Sequence, residues 1–263
     1  MDIVARINEI LFALALTLPR IGTAFIILPL FTQETVPALI RNAIYIGLAL
    51  IVLPLTVKAN EVVHLSWIDW PFILIKEMFI GVSLGFVFST IFWAATTAGA
   101  IIDTQVGSNM AQQMDPVQGH QSSPNGRWLS LFITWLFMAS GGFMVFLDLL
   151  LGSYRIWPVT IFLPNLPLTD LSMFIGQFSY LMSAALLMAA PVILILSLID
   201  IAFGLVNRFA QQINLLSITM PIKSWVAVFI LILNLALIVE VISRKLAENS
   251  ALKDIIKQWF VSG

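Results

Sequence analysis

The sequence predicts an all-α integral membrane protein of about six or more apolar helices broken by proline, with a C-terminal helical hairpin and a short amphipathic tail. Three observations carry this expectation. Of 263 residues, 60% are hydrophobic and 10% are charged, and the mean hydropathy is +0.99. Soluble domains hold about 25% charged residues, so 13 Lys and Arg with 14 Asp and Glu cannot cover a folded chain of this size in water. Next, charge falls between long apolar runs rather than within them. Last, prolines interrupt those runs, which predicts bent or broken helices that need neighbours.

In chain order, a block over roughly 10–31 comes first, interrupted by Pro19 and Arg20. Asp2 and Glu9 break up its start and no small-residue cleavage site follows, so it is expected to stay in the mature protein. Charge-free runs then cover 42–57, 78–102, 128–147, 171–199 and 224–239. Runs 78–102 and 128–147 reach the roughly 20 apolar residues a spanning helix needs. Run 171–199 is longer and predicts a loop plus one long or bent helix. Pro19, Pro29, Pro54 and Pro191 lie inside or at the ends of these blocks and predict breaks or bends there.

Two connections are long. One runs from Asp103 to Arg127, and the other, about 152–170, holds Pro158, Pro164 and Pro167. In the tail, Arg244, Lys245, Lys253 and Lys257 predict a cytoplasmic C-terminus. Leu252, Ile255, Ile256, Trp259 and Phe260 fall on one helical face there, opposite Lys253, Asp254 and Lys257.

Chemistry is sparse. There is no cysteine, and His64 and His120 are too far apart in sequence to suggest a metal cluster, so no cofactor or metal is expected. Net charge is −1, with no basic domain for nucleic acid. No phosphate loop, paired metal-ligand spacing or nucleophile elbow occurs, so no enzyme is expected. Arg20, Lys76 and Glu77 are charges within or at the edge of apolar stretches. Such charges face a bundle interior or a water-filled path, or else mark an interface. Gly81 and Gly85 form a G-x-x-x-G step that lets another helix come close. The loop after Ile102 is rich in Gln, Gly and Met and nearly uncharged, which fits a functional loop or a solvated connector. Residues 204–214, followed by Lys223, read as helix, polar turn and helix, with Arg208 placed to meet helix carbonyls or a partner carboxylate.

These residues, in this order, resemble the FliR/SctT family of inner-membrane export-gate proteins in flagellar and virulence type III secretion. The resemblance spans nearly the whole chain. It is carried by Arg20, Pro29, Pro37 and Arg41, then by Glu77-x-x-x-Gly81-x-x-x-Gly85. Gly99-x-x-x-Asp103-x-Gln105-x-Gly107, Asp115-Pro116, Arg208-Phe-Ala-x-Gln212-x-Asn214 and Lys223 follow. Gln211 stands where the family commonly has proline, which leaves that turn less rigid.

The resemblance implies a subunit that assembles with SctR/FliP-like and SctS/FliQ-like partners, beside a SctU/FlhB-like switch protein, into a channel for unfolded secreted proteins. It implies that residues 1–170 resemble the first partner, that 171–242 form a hairpin resembling the second, and that 243–263 are a tail. It also implies a plug segment at about Gly107–Ser123, with Gly107, Met110, Gln112, Gln113, Met114, Asp115, Pro116 and Gln118. Glu77, Arg208, Gln212, Asn214 and Lys223 are the assembly residues. The polar loop and tail look closer to the virulence branch. The competing readings are a small-molecule or ion transporter and a membrane-bound enzyme.

Overall fold

Long stretches free of charge coil into eight α-helices among the residues that the computed structural model describes: 2–31, 36–57, 69–107, 123–159, 172–209 and 215–261. They are α1 (Asp2–Ile27), α2 (Ala38–Val57), α3 (Asp69–Val106), α4 (Pro124–Ala139), α5 (Gly142–Ile156), α6 (Ser172–Phe209), α7 (Leu215–Leu233) and α8 (Leu235–Val261). No strand occurs among the described residues, so the chain has the expected all-α class.

The element boundaries depart from expectation in four places. Residues 103–106 and 124–127 are helical, so the loop predicted over 103–127 is shorter, and the described backbone stops at Gly107 and resumes at Ser123. Run 171–199 holds no loop from Ser172 onward; it lies inside the single 38-residue helix α6. The tail starts no element of its own at residue 243, because α8 runs unbroken to Val261. The side chains of its predicted apolar face lie outside the described residues. Finally, helices continue through Pro19, Pro54 and Pro191.

α1 ends at Ile27, just before Pro29, as expected; the other breaks fall away from proline. α4 ends where Gly141 takes a left-handed φ of +78°, a conformation that glycine adopts without strain. α7 and α8 meet at 53° around Asn234. There the Asn234 amide donates to the Ile230 carbonyl at 2.8 Å, sharing that oxygen with the Asn234 backbone N–H at 3.0 Å. Among the described residues, three helices, α1, α3 and α6, are long and apolar enough to cross a membrane. The count rises to five if each bent pair, α4–α5 and α7–α8, is one span, against the six suggested by counting runs.

The chain divides into two compact units. The first comprises Met1–Ser89, Gly141–Ser172 and Glu248–Gly263. Its core follows helical periodicity along α1, where Ala13, Leu16, Thr17, Arg20, Ile21, Ala24 and Phe25 are buried, with Leu28 just past its end. Phe25 and Phe88 each meet Phe146 of α5 edge-on at 5.3 Å. Such ring pairs are worth about 0.5–1.5 kcal/mol beyond the area they cover. α1 also packs on α2, and Tyr45 of α2 lies 5.3 Å from Phe25.

The second unit comprises Thr90–Ser140 and Met173–Ala247. α3 and α6 run side by side in the same direction in it. Thr90 meets Gln177, and further along Gln105 meets Asp200. Small residues face inward on both helices, among them Ala94, Ala95 and Ala98 on α3 and Ala184, Ala185 and Ala189 on α6. Leu129, Ile133 and Phe137 form the buried stripe of α4, with Phe137 against Phe92 at 5.3 Å.

Candidate functional site: a buried ion cluster and a clamped helix junction

In the first unit, α1 and α3 cross closely. A β-carbon on Gly81 would lie 2.2 Å from the Arg20 carbonyl oxygen, and one on Gly85 would lie 2.7 Å from that of Ala24. Thr23 donates to the Met78 carbonyl at 3.2 Å and Ser89 to that of Ile27 at 2.8 Å. The G-x-x-x-G face therefore receives a helix of the same chain.

That crossing places Arg20 and Glu77, both fully buried, against each other. Arg20 Nε and Nη2 grip the two Glu77 oxygens at 2.6 and 2.9 Å, the two-pronged geometry that suits a planar guanidinium. Nη1 donates to Ser153 at 3.0 Å and Nη2 also to the Trp157 carbonyl at 2.9 Å. The guanidinium lies 4.1 Å over the Tyr154 ring, whose hydroxyl donates to the Thr17 carbonyl at 2.7 Å.

Lys76 completes the cluster. Its ammonium pairs with Glu77 at 2.9 Å and donates to the carbonyls of Pro158 and Val159 at 3.2 and 2.8 Å. Two cations share one carboxylate, and carbonyl dipoles absorb the excess positive charge. The three charges that stood out in the sequence are thus one buried network rather than an interface marker.

The second unit holds two further polar ties. Asp103, in the last turn of α3, is 2% exposed. It accepts from the Ser123 hydroxyl and from the backbone and side-chain nitrogens of Asn125, at 3.0 and 2.6 Å. Ser123 is the N-cap of α4 and accepts from the Gly126 N–H at 3.0 Å, with Pro124 at the first helical position. The α3 and α4 backbones touch there, since a β-carbon on Gly99 would lie 2.2 Å from the Gly126 nitrogen.

Nearby, Lys223 of α7 pairs with Asp200 of α6 at 2.6 Å and donates to the Gln105 carbonyl at 2.7 Å. The Gln105 amide donates to Asp200 at 3.1 Å. Gly107 follows with φ +91°, and a β-carbon on it would meet Met220 at 3.1 Å.

Of the residues singled out from sequence, Glu77, Gly81 and Gly85 gather in the first unit, and Gly107 and Lys223 stand near one another in the second. Arg208 is exposed in the last turn of α6, where a cation complements the helix dipole. Met110, Gln112, Gln113, Met114, Asp115, Pro116, Gln118, Gln212 and Asn214 lie outside the described residues. Sequence reading passed over Ser153, Tyr154, Asn125, Gly126 and Asp200. Asp200 carried a usable signal, as the one carboxylate in a long apolar stretch; Ser153 and Gly126 carried none. Among the described residues, no group of three or more His, Asp or Glu converges as a metal site would require.

Similarity to known proteins agrees with the architecture. Residues 11–249 match the family described as bacterial export proteins, family 1. Yop proteins translocation protein T of Yersinia pestis is 33% identical over 228 residues, 86% of this chain and 87% of the relative. The surface presentation of antigens protein SpaR of Salmonella typhimurium is 32% identical over 229 residues, 87% of this chain and 84% of the relative. The flagellar biosynthetic protein FliR of Bacillus subtilis is 29% identical over 233 residues, 88% of each chain. With several helices apolar enough to span a bilayer and a family match across nearly its whole length, the chain belongs to the FliR/SctT family of bacterial export proteins, multi-pass membrane components of type III secretion and flagellar export.

Proposed function

We propose that this chain is a subunit of a type III secretion export gate in the bacterial inner membrane. With SctR/FliP-like and SctS/FliQ-like subunits it forms the channel for unfolded secreted proteins, beside a SctU/FlhB-like switch protein. The observation that carries this reading is the family match over residues 11–249.

Surface chemistry supports a role among partners. On α6, Leu194, Leu198, Ile201 and Phe209 are exposed, the last by 88%, and on α7 Trp225 is exposed by 80%. So much bare apolar surface demands lipid or sister subunits. In this reading residues 1–170 take the place of an SctR/FliP-like fold and 171–242 that of an SctS/FliQ-like hairpin, and the tail from 243 is cytoplasmic. The segment Gly107–Ser123 helps to plug the closed channel. Its Met and Gln side chains pack adaptably, and its near-neutrality spares passing chains a strong field. Arg208, Gln212, Asn214 and Lys223 serve assembly.

Purification in mild detergent tests the proposal. Coexpressed with the two partner subunits, the chain enters one large complex, and expressed alone it aggregates or is degraded. A stable monodisperse monomer that ignores both partners refutes it.

A further inference from the structure

Between the start of α4 and the second half of α7, within the second unit, lies a cavity of about 230 Å³. Pro124, Asn125 and Trp128 line it from α4, and Val228, Leu231 and Ile232 from α7. A single helical turn, about 10 Å across and 5.4 Å long, would need roughly 400 Å³. The cavity therefore takes a thin flexible chain but not a helix.

Both helices leave the same polar layer. α4 starts beside Asp103, which accepts from Ser123 and Asn125, and α7 passes the same end of α3, where Lys223 meets Gln105 and Asp200. Beyond that layer the two turn apolar together. Trp128, Leu131 and Trp135 of α4 and Trp225, Val228, Phe229 and Ile232 of α7 are exposed at helical spacing. Phe132 stacks between Trp128 and Trp135, at 5.7 and 6.1 Å between rings. Tryptophan at the junction of a polar layer and an apolar face is the pattern of a membrane interface.

Arg127 is exposed at that junction, in the turn of α4 that lines the cavity. Its guanidinium has no partner among the described residues, and the carboxylates of the layer, Asp103 and Asp200, are already bonded. A guanidinium at the edge of hydrocarbon needs an anion, and phosphate oxygens fit its planar fork. We propose that Arg127 and the α4–α7 cavity form a binding site for an anionic glycerophospholipid, with the phosphate on Arg127 and one acyl chain in the cavity against Trp128. A zwitterionic headgroup fits less well, since its own ammonium already neutralises the phosphate.

The test reconstitutes the full chain with its partner subunits in phosphatidylcholine vesicles. These contain a small share of phosphatidylglycerol that bears a photoreactive diazirine on one acyl chain. After illumination, label is read on this chain's peptides by mass spectrometry, per assembled chain. Residues 124–135 and 225–233 should be labelled several-fold above the level given by a phosphatidylcholine probe with the same acyl chains. Arg127→Gln should bring the two probes level, and Arg127→Lys should keep part of the preference, because a point charge still attracts phosphate. Val228→Trp, which fills the cavity, should remove the preference and most of the label. Equal labelling by the two probes in the parent overturns the site, and so does a preference that survives Arg127→Gln or Val228→Trp. Absence of label from both segments in the assembled complex overturns it too, and shows that a sister subunit covers this face.

Discussion

Glu77→Gln is the most informative perturbation of the first unit. Glu77 is the anion that both buried cations meet, with side-chain exposures of 0% for Arg20 and 6% for Lys76. The amide keeps the shape but removes the charge, and its NH2 group points a donor at the guanidinium or the ammonium. Removing one member of a buried pair costs about 3–5 kcal/mol, because the survivor stays desolvated without its counterion. Here two survivors remain, and the carbonyls of Trp157, Pro158 and Val159 offset part of the loss, so the cost should fall within that range. At about 1.4 kcal/mol per tenfold, the folded-to-unfolded ratio falls by roughly two to three and a half orders of magnitude. Unfolding of the purified complex by denaturing-detergent titration measures it. A variant replacing all three charges, Arg20→Met/Lys76→Met/Glu77→Leu, should recover most of the stability, since apolar replacement of a buried ion cluster is often neutral or better. The reasoning fails if Glu77→Gln lies within about 1 kcal/mol of the parent. It also fails if the apolar triple variant is no more stable than Glu77→Gln.

Gly81→Ala should reduce complex yield, since the new methyl overlaps the Arg20 carbonyl and Thr23 hydroxyl, and Gly85→Leu should abolish it. Gly22→Ala, with nothing within 4 Å, is the control and should retain full yield on immunoblot. Arg208→Ala should impair assembly and secretion, with Arg208→Lys restoring only part because Lys lacks the planar fork; a normal alanine variant reduces Arg208 to a solvated charge. A single Cys at Met114 or Gln118 should crosslink to a secretion substrate stalled in transit, whereas one at Lys257 should not. Crosslinking confined to Lys257 would overturn the plug assignment.

Composition and run length alone determined the helical class and the membrane setting, because both follow from how much apolar surface a chain must hide and how far a helix reaches. The ordered fragments from Arg20 to Lys223 were enough to point to the export family. G-x-x-x-G was readable as a close helix contact, since small residues four apart share a face whatever lies opposite.

What lies opposite was decided only by the fold. The partner of Gly81 and Gly85 is α1, about sixty residues earlier, and no local pattern reports a pairing at that separation. Arg20, Lys76 and Glu77 stood out singly, but their union needed α1 and α3 to cross and α5 to bring up Ser153 and Tyr154. Pro29 did mark the end of α1, but Pro19, Pro54 and Pro191 lie within helices, because a helix packed among neighbours tolerates one missing donor. The sharp turns came instead at Gly141, from its positive φ, and at Asn234, from a side chain bonded to its own helix. Asp103 looked like a loop residue and proved to be a buried acceptor at a helix junction. Its meaning depended on Ser123 and Asn125 twenty residues onward, and only tertiary structure sets such distances.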